Sequence, residues 1–162
     1  MPTIFYSDVA APTKPAKTGV VSPIKVPFSI ALAANPAAND LIHLVKIPIG
    51  ATLLDYQIEV PILDTNASQT LDLSLGDTAD NARYQSTNRA GRTGNFGGVS
   101  SPGGTRQLNN NAVQANAVVG IVAGTLPRAY TADDVLLFKV IANSATFQAG
   151  TIRGWVEYIF NA

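Results

Sequence analysis

Apolar and polar residues alternate with a period of two through much of this chain, and that rhythm sets its elements. In "TLLDYQIEV" (52–60), Leu54, Tyr56, Ile58 and Val60 fall on one side, and Asp55, Gln57 and Glu59 on the other. Such spacing marks a strand with one face in a core and one in water. "TLDLSL" (70–75) repeats it, with Leu71, Leu73 and Leu75 inward and Asp72 and Ser74 outward. The closing stretch "GTIRGWVEYIF" (150–160) puts Ile152, Val156, Tyr158 and Phe160 on one face. "IKVPFSIALA" (24–33) and "LIHLVKI" (41–47) are further strands, the first with a proline that suits an edge. "NAVVGIVA" (116–123) and "VLLFKVIA" (135–142) are more uniformly apolar, as strands deep in a sandwich are.

No window holds apolar residues at helical spacing, and proline or glycine interrupts nearly every candidate. Seven or eight short strands divided by turn clusters predict an all-β fold, an antiparallel β-sandwich with jelly-roll topology. Two segments break the rhythm. Residues 1–23 carry Pro2, Pro12, Pro15 and Pro23 and cannot close a core of their own. They read either as a tail without fixed structure or as an extended arm ordered by a neighbouring subunit, anchored by "TIFY". Residues 86–116 hold six of the thirteen glycines and a run of asparagines. They are too poor in apolar residues for a second domain and read as a long loop within one domain spanning 24–162.

Composition narrows the function. A chain of 162 residues fits one domain, and 14% charged residues is low. Eleven basic and eleven acidic residues cancel, which argues against a nucleic-acid coat, since neutralising phosphates needs surplus cations. Without cysteine there is no disulfide framework, thiolate metal site or thiol nucleophile. The first residues lack the pattern of a signal peptide, and no apolar stretch approaches a membrane span. The expectation is a soluble protein with neither nucleic acid nor membrane as partner and with no cofactor. Charge is nevertheless segregated. From Ile47 to Ala82 every charged residue is acidic, and from Arg83 to Ala132 every one is arginine. Such polarity suits docking of copies or an acidic partner, or it reflects chance segregation around a turn.

Candidate chemistry is sparse. His43, the lone histidine, sits between Ile42 and Leu44 and reads as a satisfied or surface residue. "GDTADNARY" concentrates Asp77 and Asp80 after Asp72, but it lacks the alternating ligands and closing glutamate of a calcium loop. Nothing around it is apolar enough to raise a carboxyl pKa for acid catalysis. A polar turn with an Asp80–Arg83 ion pair is the leading reading, and a bound cation the second. Trp155 lies opposite Val156, either exposed for a partner or on a strand buried on both sides.

Three stretches together resemble a known group. "LIHLVKIPIGATLLDYQIEVP", "TLDLSLGDTADNARY" and "AYTADDVLLFKVIANSATFQAGTIRGWVEYIF" are similar to small structural proteins of tailed bacteriophages, of the capsid decoration or cement type. The resemblance covers about 42–84 and 129–160, leaving out the arm and the glycine-rich loop. It implies a non-enzymatic jelly-roll protein on the outer surface of a phage head, made in the host cytoplasm. Its partners would be the major capsid protein and its own copies, as dimers or trimers. The expected interface residues are Ile4, Phe5 and Tyr6 of the arm, Arg89, Arg92, Phe96 and Arg106 of the loop, and Trp155. A host-attachment or carbohydrate-binding module is the alternative, with Trp155, Tyr84 or Phe96 stacking on sugar rings.

Overall fold

The computed structural model describes residues 3–6, 22–93, 105–107, 118–121 and 126–160. Among these the chain forms β1 (Ile4–Tyr6), β2 (Ile24–Leu32), β3 (Leu41–Ile47), β4 (Ala51–Glu59), β5 (Asp72–Gly76) and β6 (Gln85–Asn88). A helical turn α1 (Ala90–Thr93) follows, then β7 (Thr105–Gln107), β8 (Val118–Ile121), β9 (Arg128–Ala129), β10 (Asp134–Ala142) and β11 (Gly150–Phe160). The strands make two sheets. One runs β1-β3-β10-β5-β6-β8, the other β2-β11-β4-β7, with β9 also pairing with β4. From β2 onward the chain changes sheet at every step except the β5–β6 hairpin. All pairings are antiparallel except β1 with β3.

The core lies between the sheets and follows the alternation. Val26, Phe28, Ile30 and Leu32 of β2 are buried, and Ile152, Val156 and Tyr158 of β11 lie alongside them on the same inner face, followed by Tyr56 and Ile58 of β4. The other sheet adds Ile42, Leu44, Leu73, Leu75, Phe138 and Val140. Each such side chain contributes roughly 1.5–3 kcal/mol on leaving water. Leu71, Leu73 and Leu75 point inward as the sequence predicts.

β4 departs from strict alternation at one place. Leu53 is buried where Leu54, only half-buried, was expected. The register explains it: Glu157 pairs with Asp55 and Tyr158 with Leu53, leaving Leu54 as the extra residue of a β-bulge. The phase of inward positions therefore slips by one, from Tyr56, Ile58 and Val60 to Leu53 and Ala51.

Both irregular segments contain regular structure. Ile4–Tyr6 is a strand, laid parallel on β3 with Ile4 opposite Leu41 and Tyr6 opposite His43. Inside the stretch expected to be a loop lie most of β6, α1 and β7, the first and last hydrogen-bonded into opposite sheets.

Candidate functional site

The acidic residues that dominate "LDLSLGDTADNARY" do not converge. Asp72 points from β5 into the outer face of its sheet, where Arg92 and Arg89 approach its Oδ1 at 2.8 and 3.4 Å. Asp77 is fully buried, and its Oδ2 accepts from Arg83 Nε at 2.5 Å and lies 3.3 Å from Arg128 Nε. Its partner is thus Arg83, in place of the expected Asp80–Arg83 pair. That hydrogen bond raises the Arg83 guanidinium pKa, against the opposing effect of burial. Tyr130 adds a 3.4 Å contact to the same oxygen and a short hydroxyl–hydroxyl bond to Tyr84. Burial pushes the Tyr84 hydroxyl up to about 12 and Tyr130 higher still. Asp80 stays in the turn, accepting Ala82 N–H at 3.0 Å. A Cβ on Gly76 would strike the Asp80 carbonyl, so glycine is what lets the turn fold back over β5.

At the other end of the sandwich a single carboxylate closes two loops. Asp64, fully buried, accepts backbone N–H groups of Thr70 (2.7 Å), Leu71 (3.1 Å), and Asn66, Ala145 and Thr146 (3.2 Å each). Burial opposes its charge, but these donors outweigh that and hold its pKa far below the ordinary carboxylate range. Leu63 and Asp64 N–H donate to the Gly91 carbonyl, which ties α1 into the same knot. Segregated charge is therefore spent within the chain: Asp72 and Asp77 engage four of the five arginines between Arg83 and Ala132. Among the described residues, no group of three His, Asp or Glu side chains could hold a metal ion.

The two outer faces differ in kind. On the β2-β11-β4 sheet, polar groups pair across strands: Arg153 with Glu59 through two bonds of 2.7 and 2.9 Å, and Lys25 with Glu157 at 3.5 Å. Trp155 lies between these pairs, half-buried, donating to Gln57 Oε1 at 3.0 Å with the Lys25 ammonium 4.3 Å from its ring centroid.

The outer face of the β1-β3-β10-β5 sheet carries an apolar stripe instead. Cross-strand rows place Ile4 beside Leu41 and Lys139, and Tyr6 beside His43 and Leu137. Ile4, Tyr6 and Ile141 are exposed at 40%, 64% and 44%. His43 Nε2 is shut from water without a hydrogen-bond partner, the imidazole and Tyr6 rings stand edge to face with centroids 5.1 Å apart, and burial lowers the histidine pKa. Beside the stripe, the turn at 79–82 walls a groove of about 450 Å³ with Asn39, Ser74, Ser86, Lys139 and Ile141. Among the described residues Lys139 has no ion pair.

The residues expected at an interface are thus dispersed. Ile4 and Tyr6 lie on the apolar stripe, while Phe5 between them turns inward against the core. Arg89 is exposed beside Asp72, whereas Arg92 is pinned there, with further bonds to the carbonyls of Leu71 (2.7 Å) and Thr70 (3.0 Å). Arg106 is placed on β7 opposite Gln57. Trp155 occupies the opposite face of the molecule, and Phe96 lies outside the described residues. Tyr84, offered for sugar stacking, is buried. Sequence reasoning passed over Lys139, Ile141 and Leu41. Their signal was alternation within β10 and β3, masked by a bulge near Leu137 and by uniformly apolar composition.

The architecture defines a two-sheet β-sandwich in which the chain shuttles between layers. Solved structures share it over nearly its whole length. A chain of the cyanophage Pam1 capsid asymmetric unit superposes with TM-score 0.64 at 23% identity, covering 94% of both chains. A chain of the capsid of Ralstonia phage GP4 does so with TM-score 0.60 at 23% identity, covering 99% of both. No family model and no curated protein matches the chain.

Proposed function

We propose that the protein is a non-enzymatic virion component, a decoration or cement protein that binds the outside of a phage head and bridges its capsid subunits. One observation carries this reading: the whole sandwich is shared with chains of two phage capsid structures. The strand order supports a jelly roll as well. β2-β11-β4-β7 against β3-β10-β5-β6 is what two interleaved Greek keys produce. Residues 24–162 form the body and residues 1–23 the arm.

The attachment surface is the apolar stripe of β1, β3 and β10 with its groove. Ile4, Tyr6 and Ile141 leave apolar area in water, and Lys139 offers a cation, so the major capsid protein gains by covering them. Across the molecule, Arg153, Glu59, Lys25 and Glu157 already satisfy one another and suit solvent. Arg89 and the loop beyond it supply further contacts.

The test is addition of purified protein to heads stripped of it, followed by sedimentation and electron microscopy. Density on the outer surface in contact with more than one capsid subunit, with heads surviving higher temperature, is the expected result. Absence of head binding, or binding that leaves head stability unchanged, contradicts the cement role.

A further inference from the structure

We infer that β1 is an exchangeable strand, so that Ile4–Tyr6 of one copy seats on β3 of a second copy. The seat is built into the body. Asp40, a buried carboxylate, receives Thr3 N–H at 2.6 Å through one oxygen and Ala37 N–H at 2.9 Å through the other. Leu41 N–H donates to the Thr3 carbonyl at 2.9 Å, and Phe5 packs against the core. Remove the strand and an edge of β3 loses its pairing, Asp40 loses a donor and His43 loses its cover. The seat therefore favours being filled.

Nothing in the seat requires the filling strand to come from the same chain. β1 is three residues long, and it lies at the end of its sheet. Seventeen residues separate Tyr6 from Ile24. Their contour of roughly 60 Å exceeds the roughly 40 Å diameter of a body this size. A strand from a neighbour makes the same contacts in the same register, so cis and trans seating differ mainly in effective concentration. A tether of this length supplies roughly millimolar strand to its own seat. Dilute copies stay self-seated, and copies crowded to that level exchange strands. A closed ring or pair then forms without any new interface.

The absence of native cysteine makes the test direct. Ile4 and Leu41 stand opposite each other in the β1–β3 register. Full-length Ile4→Cys and Leu41→Cys proteins are mixed at about 1 mM, the level set by the tether, and oxidised gently. A control mixes Ile4→Cys with Ser29→Cys, which sits on the other sheet's outer face. Exchange predicts disulfide-linked heterodimer roughly tenfold above the control, falling on dilution below the tether's effective concentration. Heterodimer no more abundant than the control overturns exchange, as does a double Ile4→Cys/Leu41→Cys variant that links only within its own chain. If either single variant loses its cooperative melt, Tyr6→Cys with His43→Cys, the next pair in register, decides on the same criteria. The outcome is independent of head binding, which can fail while exchange holds.

Discussion

Arg83 and Asp77, six positions apart, meet at 2.5 Å across a turn, although Asp80 lies closer to Arg83 in sequence. The choice follows from burial: Asp77 is sealed under Tyr84 and Tyr130, where a carboxylate persists only with a cation against it. Asp77→Asn leaves Arg83 and Arg128 without their counter-charge and is expected to cost about 3–5 kcal/mol. At 162 residues that is a fall in Tm of roughly 10 °C. Asp80→Asn loses at most an exposed turn contact and is expected to cost under about 1 kcal/mol. Thermal melts of both variants check the contrast, and equal losses contradict it.

Asp64→Ala removes the acceptor of five backbone N–H groups at once. The expected loss is at least about 4 kcal/mol, with Asp64→Asn intermediate because one oxygen remains. Hydrogen exchange should quicken together at Thr70, Leu71, Ala145 and Thr146, which lie in two loops joined by that carboxylate. Quickening in one loop alone contradicts a shared knot.

Acid should act in two stages. The His43 pKa is lowered in the folded protein, so its contribution is complete above the unfolded value near 6.5 and is lost as pH falls through the folded value. The Asp64 pKa is also depressed, and its contribution is present above about 4 and lost as pH falls further toward the folded value. Tm is thus expected to decline gently below neutrality and steeply below about pH 4. His43→Leu should remove the gentle stage and Asp64→Asn most of the steep one, measured by melts across pH 2 to 8.

Gly76→Ala places a methyl group against the Asp80 carbonyl, which is backbone and cannot rotate away. The turn must shift, at an expected cost of about 2–3 kcal/mol, and Asp77 moves with it. Loss of the slow exchange of the Tyr84 and Tyr130 hydroxyl protons in NMR spectra would report the displaced network.

For attachment, Lys139→Glu combined with Ile141→Asp should reduce head occupancy at least about tenfold while leaving Tm within a few degrees. Arg153→Ala on the opposite face should leave occupancy unchanged. Charge reversal at Arg92 is a poor probe, since it strikes Asp72 and the carbonyls of Thr70 and Leu71 inside the chain. Equal occupancy of the Lys139/Ile141 variant and the parent protein would move the attachment site off this face.

What could be read from the sequence depends on range. Alternation within a strand is local, so β5 with its inward leucines and β11 were legible by period, while β2, β3 and β10 were legible only as apolar runs bounded by turn residues. The slip at Leu54 was not, because a bulge is decided by which partner strand lies opposite. Long-range polar choices were hidden for the same reason. Arg128 reaches Asp77 only after β9 is brought to the start of β4, and Asp64 looks like any loop acid until Thr70 and Thr146 converge on it. The pairing of Ile4–Tyr6 with β3 rests on three residues, too few for any period to register.

Pro27 sits midway along β2, the border strand of its sheet, opposite Trp155. Lacking an N–H, it can be tolerated there only with its ring nitrogen turned to the unpaired side, which interrupts the row of donors an incoming strand would need. The body is thereby protected along this margin from edge-to-edge addition of another strand. Traffic between copies is steered to the opposite sheet, whose margin is a strand that can be traded.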